Sequence, residues 1–474
     1  LSSLLLASAA QATDSIYWNN FGAPNTISFA ALSGGSGGDL PISAATLNTP
    51  RGLAINPATN KIYWANNGNS TIGVANLDGS SAAILPTTGA TISGVRGIAI
   101  NPATNKIYWA NLTNNTIGYA NLDGSGNGGT LNTTGATVTT PWGVALDPAA
   151  NKIYWANETA NTIAFANLDN TGGGGVLPVG PPNVAAPGGL AIDKATGQIF
   201  WANGSSIGFS NLDGSNAGLL NTTGATKSAL EGIAIDPAAN KLYWGNDGTP
   251  TIGFANVNNI GGAGNLVTTG ATTNNTAFPS LLKAPVGTGA PAISATGSAP
   301  GSTLSCTQGS WEGDLLGSFL FHAPHTFATQ WLSNGQPVLG ASTSTVVPTE
   351  VGNYSCQVTA QNGAGSTAQT SSTISLFKLG KASLNKKKGT ARLTVTLPGA
   401  GTLKLTGKGL VARTAKRSAT SSGNVKLTIK AKGKQLKKLK EKGKVKVKAK
   451  IAFTPTSGTG GTQTKSLTLR KKLN

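Results

Sequence analysis

The chain alternates apolar and polar residues on a two-residue period, in short runs separated by turn residues. In "RGLAINP", which begins at Arg51, Leu53 and Ile55 alternate with small residues. In "KIYWAN" Ile62 and Trp64 share one face while Tyr63 takes the other, and in "TIGVANLDG" Ile72 and Val74 keep the same period. This alternation predicts strands. "NPATN" between the first two reads as a turn in which Pro57 fixes φ and the asparagines supply local hydrogen bonds. Asp78-Gly79 closes the third run with another turn signal. A fourth run near "AAILPTTG" is short and weakly specified, as an outer edge strand is expected to be.

The unit recurs. "NPATNKIYWAN" occupies residues 56–66 and again 101–111, then returns as "DPAANKIYWAN" at 147–157 and "DPAANKLYWGN" at 236–246. The Trp of each copy (Trp18, Trp64, Trp109, Trp155, Trp201 and Trp244) is spaced by 46, 45, 46, 46 and 43 residues. A period of this size with strand chemistry points to propeller blades, whose apolar faces are covered only by neighbouring blades. Six copies predict six blades. Gly73, Ala75, Gly118 and Ala120 are expected to keep the interfaces between blades tight. The first copy starts at "DSIYW" without an inner strand. "FPSLLKAP", residues 278–285, loosely echoes "TPRGLAINP" and is expected to pair beside Ile16 to Trp18, which would remove both free edges.

The recurring "Gly-Ile-Ala-Ile-Asn … Ile-Tyr-Trp … Ile … Leu-Asp-Gly" resembles the YWTD repeat of low-density-lipoprotein-receptor class B propellers, over residues 13 to about 285. The resemblance implies a six-bladed propeller. The family's acidic residue after "YW-Thr" is replaced here by Asn19 or Asn20, Asn66, Asn111, Asn157, Asn203 and Asn246. Charge-dependent ligand contacts of the family therefore do not transfer.

Composition agrees with an all-β chain: 474 residues, 64 of them Gly, with only 11% charged. The net charge of +20 is unevenly placed. Residues 378–474 hold 27 Lys and Arg against Glu441 alone, a net +26, and the rest of the chain carries −6. "LSSLLLASAAQA", residues 1–12, reads as the end of a secretory signal whose start is truncated, with cleavage expected after Ala12. No later run is long and apolar enough to predict a membrane span.

Residues 287–377 contain Cys306, Trp331 and Cys356, with Tyr354 two residues before the second Cys. This segment resembles a bacterial Ig-like domain. The resemblance implies a Cys306–Cys356 bridge, worth roughly 4 kcal/mol by loop entropy, with Trp331 packed on it. Residues 378–474 alternate Lys with apolar residues in "VKLTIKAK" and "KVKVKAKIAF" and resemble the Lys-rich C-terminal modules of secreted actinobacterial proteins. The expected fold is a six-bladed β-propeller (13–286), an Ig-like β-sandwich (287–377) and a small basic β-sandwich (378–474).

Chemistry is sparse. The only histidines, His322 and His325, fall between Cys306 and Trp331 and are expected in a solvated loop. The propeller resembles virginiamycin B lyase-type enzymes in repeat length but has no His to act as acid or base. The position before each "G-[LIV]-A" varies (Arg51, Arg96, Trp142, Gly188, Glu231), and the loop after each "YWAN" contributes Glu158 and Asp247. Varied residues on a constant frame mark a candidate ligand site at one channel mouth, formed by Arg51, Arg96, Trp142, Glu158, Glu231 and Asp247. An Arg–Trp pair suits an anionic or sugar ligand.

In the basic module Lys430, Lys432, Lys444, Lys446 and Lys448 are the expected contacts to an anionic wall polymer or membrane surface. Its near lack of aromatics argues against specific nucleic-acid recognition. These features predict a secreted, monomeric, non-catalytic surface or cell-wall binding protein that takes a protein or glycan ligand and needs no cofactor. The alternative is a propeller hydrolase or lyase of lactonase type, with Glu158, Glu231 and Asp247 holding a metal in the channel.

Overall fold

The structure, a computed structural model, describes residues 13–43, 46–411, 413–417 and 421–473, with only the backbone of 413–417. The expected signal segment lies outside the described residues. The chain forms two compact units. The first takes residues up to Val286 together with Glu312–Thr326 and Gln361–Ser366; the second takes Gly287–Trp311, Phe327–Ala360 and the chain from Thr367 onward. Two segments that sequence places in the Ig-like region, 312–326 and 361–366, thus belong to the first unit.

The first unit is a six-bladed β-propeller. Among its described residues six sheets each run antiparallel, from inner to outer strand, as in Pro50–Asn56, Lys61–Asn66, Thr71–Asn76 and Ala83–Ile84, and the first gains a parallel strand, Leu320–Phe321, on its inner edge. Successive inner strands pack side by side, and Thr276–Leu282 meets Pro50–Asn56 to complete the ring. Thr276–Leu282 supplies the inner strand that the first copy lacks, pairing Ile16 with Leu281 and Tyr17 with Ser280. The register differs from the sequence echo: Thr276, not Pro279, takes the place of Pro50, so Phe278 stands at Gly52's place.

Each blade is built around its Trp. Trp64 is fully buried and lies over Gly73, its partner across the strands, so closely that a Cβ on Gly73 would be 2.0 Å from the indole. Gly118, Gly208 and Gly253 stand in the same relation to Trp109, Trp201 and Trp244. In these four blades the ring takes the space of a Cβ, a more local reason than spacing between sheets, whereas Ser28 and Ala164 face Trp18 and Trp155 in the other two. On the opposite face Tyr17, Tyr108, Tyr154 and Tyr243 pack on aromatic partners with centroids 5.7 to 6.2 Å apart.

The residue two places after each Trp is a buried Asn that joins the blade to the loop entering its inner strand. Asn111 Oδ1 accepts from Trp109 Nε1 (3.0 Å) and Ser93 N (2.9 Å), while its Nδ2 donates to Thr91 O and Thr116 Oγ1 (both 3.0 Å). In the first blade Asn20 holds this place, with Asn19 reaching instead to Gly52 O of the next blade at 3.0 Å. A carboxylate accepts but does not donate, so Asn is the residue this site requires.

The turn "NPATN" is equally specific. Asn56 Oδ1 accepts from Thr59 N, and Asn60 takes a left-handed conformation (φ 56°) that Asn tolerates better than most residues. In "DPAAN" Asp147 and Asp236 make the same cap and also pair with a lysine of the following blade, Lys194 and Lys283 respectively. The Asp236–Lys283 contact is 2.8 Å and the carboxylate is 3% exposed.

In the second unit Cys306 and Cys356 are bonded, Trp331 is buried beside them, and Tyr354 Oη donates to Glu350 O at 3.1 Å. The C-terminal part is a sandwich of two sheets. One holds Lys378–Asn385, Thr390–Leu397 and Gly423–Lys430; the other holds Arg413–Arg417, Gly401–Thr406, Lys444–Pro455 and Gly461–Arg470. Their apolar faces meet in one core containing Leu393, Leu427, Val447 and Ile451. The short helix Lys434–Lys442 adds Leu439.

Two outcomes test this account. Asn111→Asp is expected to lower stability by about 2–4 kcal/mol in urea denaturation, because it removes two buried donors and buries a charge. Lys283→Ala is expected to cost about 2 kcal/mol by leaving a buried carboxylate unpaired. Adding Asp236→Asn should restore most of that loss, since Asn holds the same cap in the second blade.

Candidate functional site

The inner strands converge on the axis at a ring of glycines: Gly52, Gly97, Gly143, Gly189 and Gly232. A Cβ on Gly143 would lie 2.5 Å from Gly189 Cα, and one on Gly189 would lie 2.5 Å from Gly232 Cα. No side chain fits there, which is the physical reason for the constant Gly in "G-[LIV]-A". The sixth place is taken by Phe278, buried and at φ 38°. Its ring occupies the space that side chains at Gly97, Gly189 and Gly232 would claim, with carbons 2.7 to 3.1 Å from those notional Cβ positions. The channel is therefore closed on its axis at this level.

The other end of the channel is covered by residues 312–326. Ser318 Oγ donates to Ile192 O at 2.5 Å, Leu281 N donates to Phe319 O at 2.8 Å, and Leu320–Phe321 pairs in parallel with Leu281–Leu282. Phe319, Leu320 and Phe321 join the propeller core. The expected solvated loop is thus a packed cover, with His322 3% exposed within it, while His325 is exposed as expected. Burial pushes the Asp314 carboxyl up, opposed by hydrogen bonds from the Ala323 and His322 backbone amides.

Above Phe278 lies the open mouth, and it holds the variable residues. Arg51 Nη1 contacts Glu231 Oε1 at 2.7 Å; Trp142 Nε1 donates to Glu231 Oε2 at 3.3 Å; the Arg96 guanidinium stacks on Trp142 at 4.2 Å. Four blades thus contribute to one network. Glu231 reaches both partners because the intervening places are held by Gly188 and Ala277, which are small. Arg51 also stacks on Phe21, 3.3 Å from the ring centre.

An outer ring is set by backbone hydrogen bonds. Phe21, Asn67, Leu112, Glu158 and Asp247 each donate N–H to the carbonyl of the residue that precedes an inner strand, at 3.1 to 3.3 Å. Those acceptor residues are all left-handed, as at Thr49 (φ 45°) and Thr140 (φ 42°). Glu158 and Asp247 therefore sit at the same mouth as the inner four and lie within the field of Arg96. Phe21 and Phe278 are missed by a sequence reading that starts from the "G-[LIV]-A" motif. Counting forward from Asn20 finds Phe21, and counting back from Leu281 finds Phe278.

The network is electrostatically costly. Burial presses the Arg96 guanidinium below its ordinary value, assisted by the charge of Arg51. Burial also pushes the Glu231 carboxyl up, opposed by Arg51 and Arg96. Arg51 Nε and Arg96 Nε and Nη1 are buried without a protein acceptor. The three carboxylates of the lactonase-like alternative do not gather, since no group of three His, Cys, Asp or Glu placed to hold a metal occurs among the described residues.

The lysines expected to share one surface do not. Lys430 projects from the three-stranded sheet of the C-terminal sandwich, and Lys444, Lys446 and Lys448 from the four-stranded sheet, on opposite outer faces. Lys432 follows the bridge between Leu410 and Ala431, outside both rows.

The fold, with its axis filled by Phe278 below an open mouth, defines a β-propeller protein with a second, all-β unit. No family model matches the chain, and no curated protein matches it. Among solved structures it is similar to a chain of the crystal structure of the nidogen/laminin complex, at 17% identity and TM-score 0.47, over 56% of this chain and 98% of that one. It is also similar to a functionally unknown protein from Desulfotomaculum acetoxidans DSM 771, at 14% identity and TM-score 0.38, over 56% and 99%. The six-bladed architecture rests on this chain's own sheet order and inter-blade packing.

Arg51→Met is expected to cost about 3–5 kcal/mol at pH 7 by leaving Glu231 buried and unpaired. Without Arg51 the Glu231 carboxyl is held higher still, so the native state keeps its proton to higher pH than the unfolded chain does. The deficit against wild type should then shrink as pH falls and Glu231 becomes neutral, read as converging melting temperatures.

Proposed function

We propose that the protein is a secreted, non-catalytic binding protein of the bacterial surface or cell wall. The propeller is its interaction module, the Ig-like domain a spacer, and the C-terminal sandwich an anchor to anionic polymer. The observation that carries this reading is the assembly of Arg51, Arg96, Trp142 and Glu231 from four blades over a channel filled by Phe278. A mouth closed at its floor presents a shallow polar surface for recognition.

The charges at this mouth are largely committed to one another: Glu231 takes Arg51, and Arg96 lies on Trp142. A simple anion would have to compete with Glu231, Glu158 and Asp247. A hydroxyl-rich glycan or a protein loop of mixed charge fits better, stacking on exposed parts of Trp142 or Phe21 and bonding to the remaining guanidinium donors.

Glycan-array and whole-cell binding of the full chain test the proposal. The Arg51, Arg96 and Trp142 triple alanine variant is expected to lose at least about tenfold in binding, equivalent to 1.4 kcal/mol. Because that variant disturbs buried groups, Glu158→Gln with Asp247→Asn serves as a partner variant, and should shift affinity or selectivity while melting like wild type. Equal binding by all three proteins would exclude this mouth as the site.

A further inference from the structure

We infer that the outer face of the four-stranded C-terminal sheet is a binding site for a linear polyanion of phosphodiester type, laid along the strand Lys444–Pro455. The inference rests on the anchor reading above and assigns it to one face and one ligand chemistry.

Lys444, Lys446, Lys448 and Lys450 are all exposed, and alternate with buried Val445, Val447, Ala449 and Ile451. Alternate residues of a strand recur about every 6.6–6.8 Å, so these four ammonium groups rise from the sheet as an evenly spaced row. A flexible chain with one charge per short repeat can place successive charges along such a row, whereas a compact anion meets only one or two of them.

The row is flanked by hydroxyls. Lys446, Lys448 and Lys450 stand directly opposite Thr468, Ser466 and Thr464 on one side, and Lys450 stands opposite Thr406 on the other. Hydroxyl groups at that distance can donate to the unesterified oxygens of a phosphate whose charge is held by the neighbouring lysine.

Among the described residues of this sheet no acid balances the row. Lys444 is directly opposite Arg470, a like-charge pair that weakens the sheet. The only acid in residues 378–474, Glu441, lies on the helix and is 3.9 Å from Lys437. A bound polyanion would relieve that repulsion and release its own counterions. Among its described residues the face carries no aromatic residue for base stacking and no projecting apolar residue for insertion into lipid, which favours a phosphodiester backbone over a nucleobase or a bilayer.

The opposite face differs in arrangement. Lys378, Lys381, Arg392, Lys426 and Lys430 are also exposed in that sheet but are divided among its three strands, with Lys426 and Lys430 facing Thr394 and Thr390. No four charges follow one another on a single strand there.

The test is binding of the full chain to poly(glycerol phosphate) across about 50–200 mM salt. Two variants each remove three charges, K446Q/K448Q/K450Q from the proposed face and R392Q/K426Q/K430Q from the other. The first is expected to weaken binding about tenfold or more at mid-range salt and to flatten the log–log salt slope by about 2. The second should change affinity by no more than about twofold. Lys→Arg at the three proposed positions keeps the charge and should bind like wild type, which separates loss of charge from loss of folding. Equal losses in the two glutamine variants would overturn the face assignment and leave the anchor reading standing. Absence of wild-type binding would remove both. Markedly tighter binding to oligo-dT, or an equal first-variant loss on phosphatidylglycerol vesicles, would overturn the choice of ligand.

Discussion

Six buried tryptophans, each donating from Nε1 to a loop carbonyl, fix the part of the propeller that everything else depends on. The acceptors are Thr272, Thr46, Thr91, Thr137, Asn183 and Thr226, each four residues before an inner strand. A buried Asn beside each Trp ties the same loop by accepting one of its backbone amides at Oδ1. A chain pinned this way enters the inner strand at a set height and direction, and the first side chains of that strand are the ones that line the mouth. Burial of the indole and satisfaction of its one donor are thus the same structural event that positions Arg51, Arg96, Trp142 and Glu231.

That arrangement also limits what the mouth can be. Five glycines let the inner strands approach until backbone meets backbone, and Phe278 fills the remaining gap on the axis. The polar residues above it cannot sink into the channel, so they satisfy one another across it, Glu231 spanning the gaps left by Gly188 and Ala277. The result resembles a small buried ion network exposed on one side. Such networks contribute little net stability but hold their members in one geometry, which is what recognition requires.

The C-terminal sandwich solves a different problem with the same alternation. Its strands put every second residue into a shared core of Leu, Val, Ile and Phe, and nearly every other place is free to be Lys or Thr. Charge is tolerated because it is spread over two opposed faces, and the row on Lys444–Pro455 sets four exposed lysines on a single strand. In the same unit the bridge Cys306–Cys356 and the buried Trp331 stabilise a segment whose strands are short.

The repeat was fully legible in the sequence, because a period of about forty-five residues and a two-residue apolar alternation are local properties that a sheet must obey. So were the blade count and the strand that closes the ring, and copies of one unit reveal which places at the start of the inner strands vary; the cysteine pairing is what the Ig-like resemblance implies. Tertiary structure alone decided what fills the axis, because Phe278 matters only where five distant glycines leave a hole. It alone decided that residues 312–326 cover the propeller, since nothing in that segment's own pattern names the surface it packs on. It also separated Lys430 from Lys444, Lys446 and Lys448, because which face of which sheet a residue occupies is set by how two sheets stack, and spacing along one chain does not encode that.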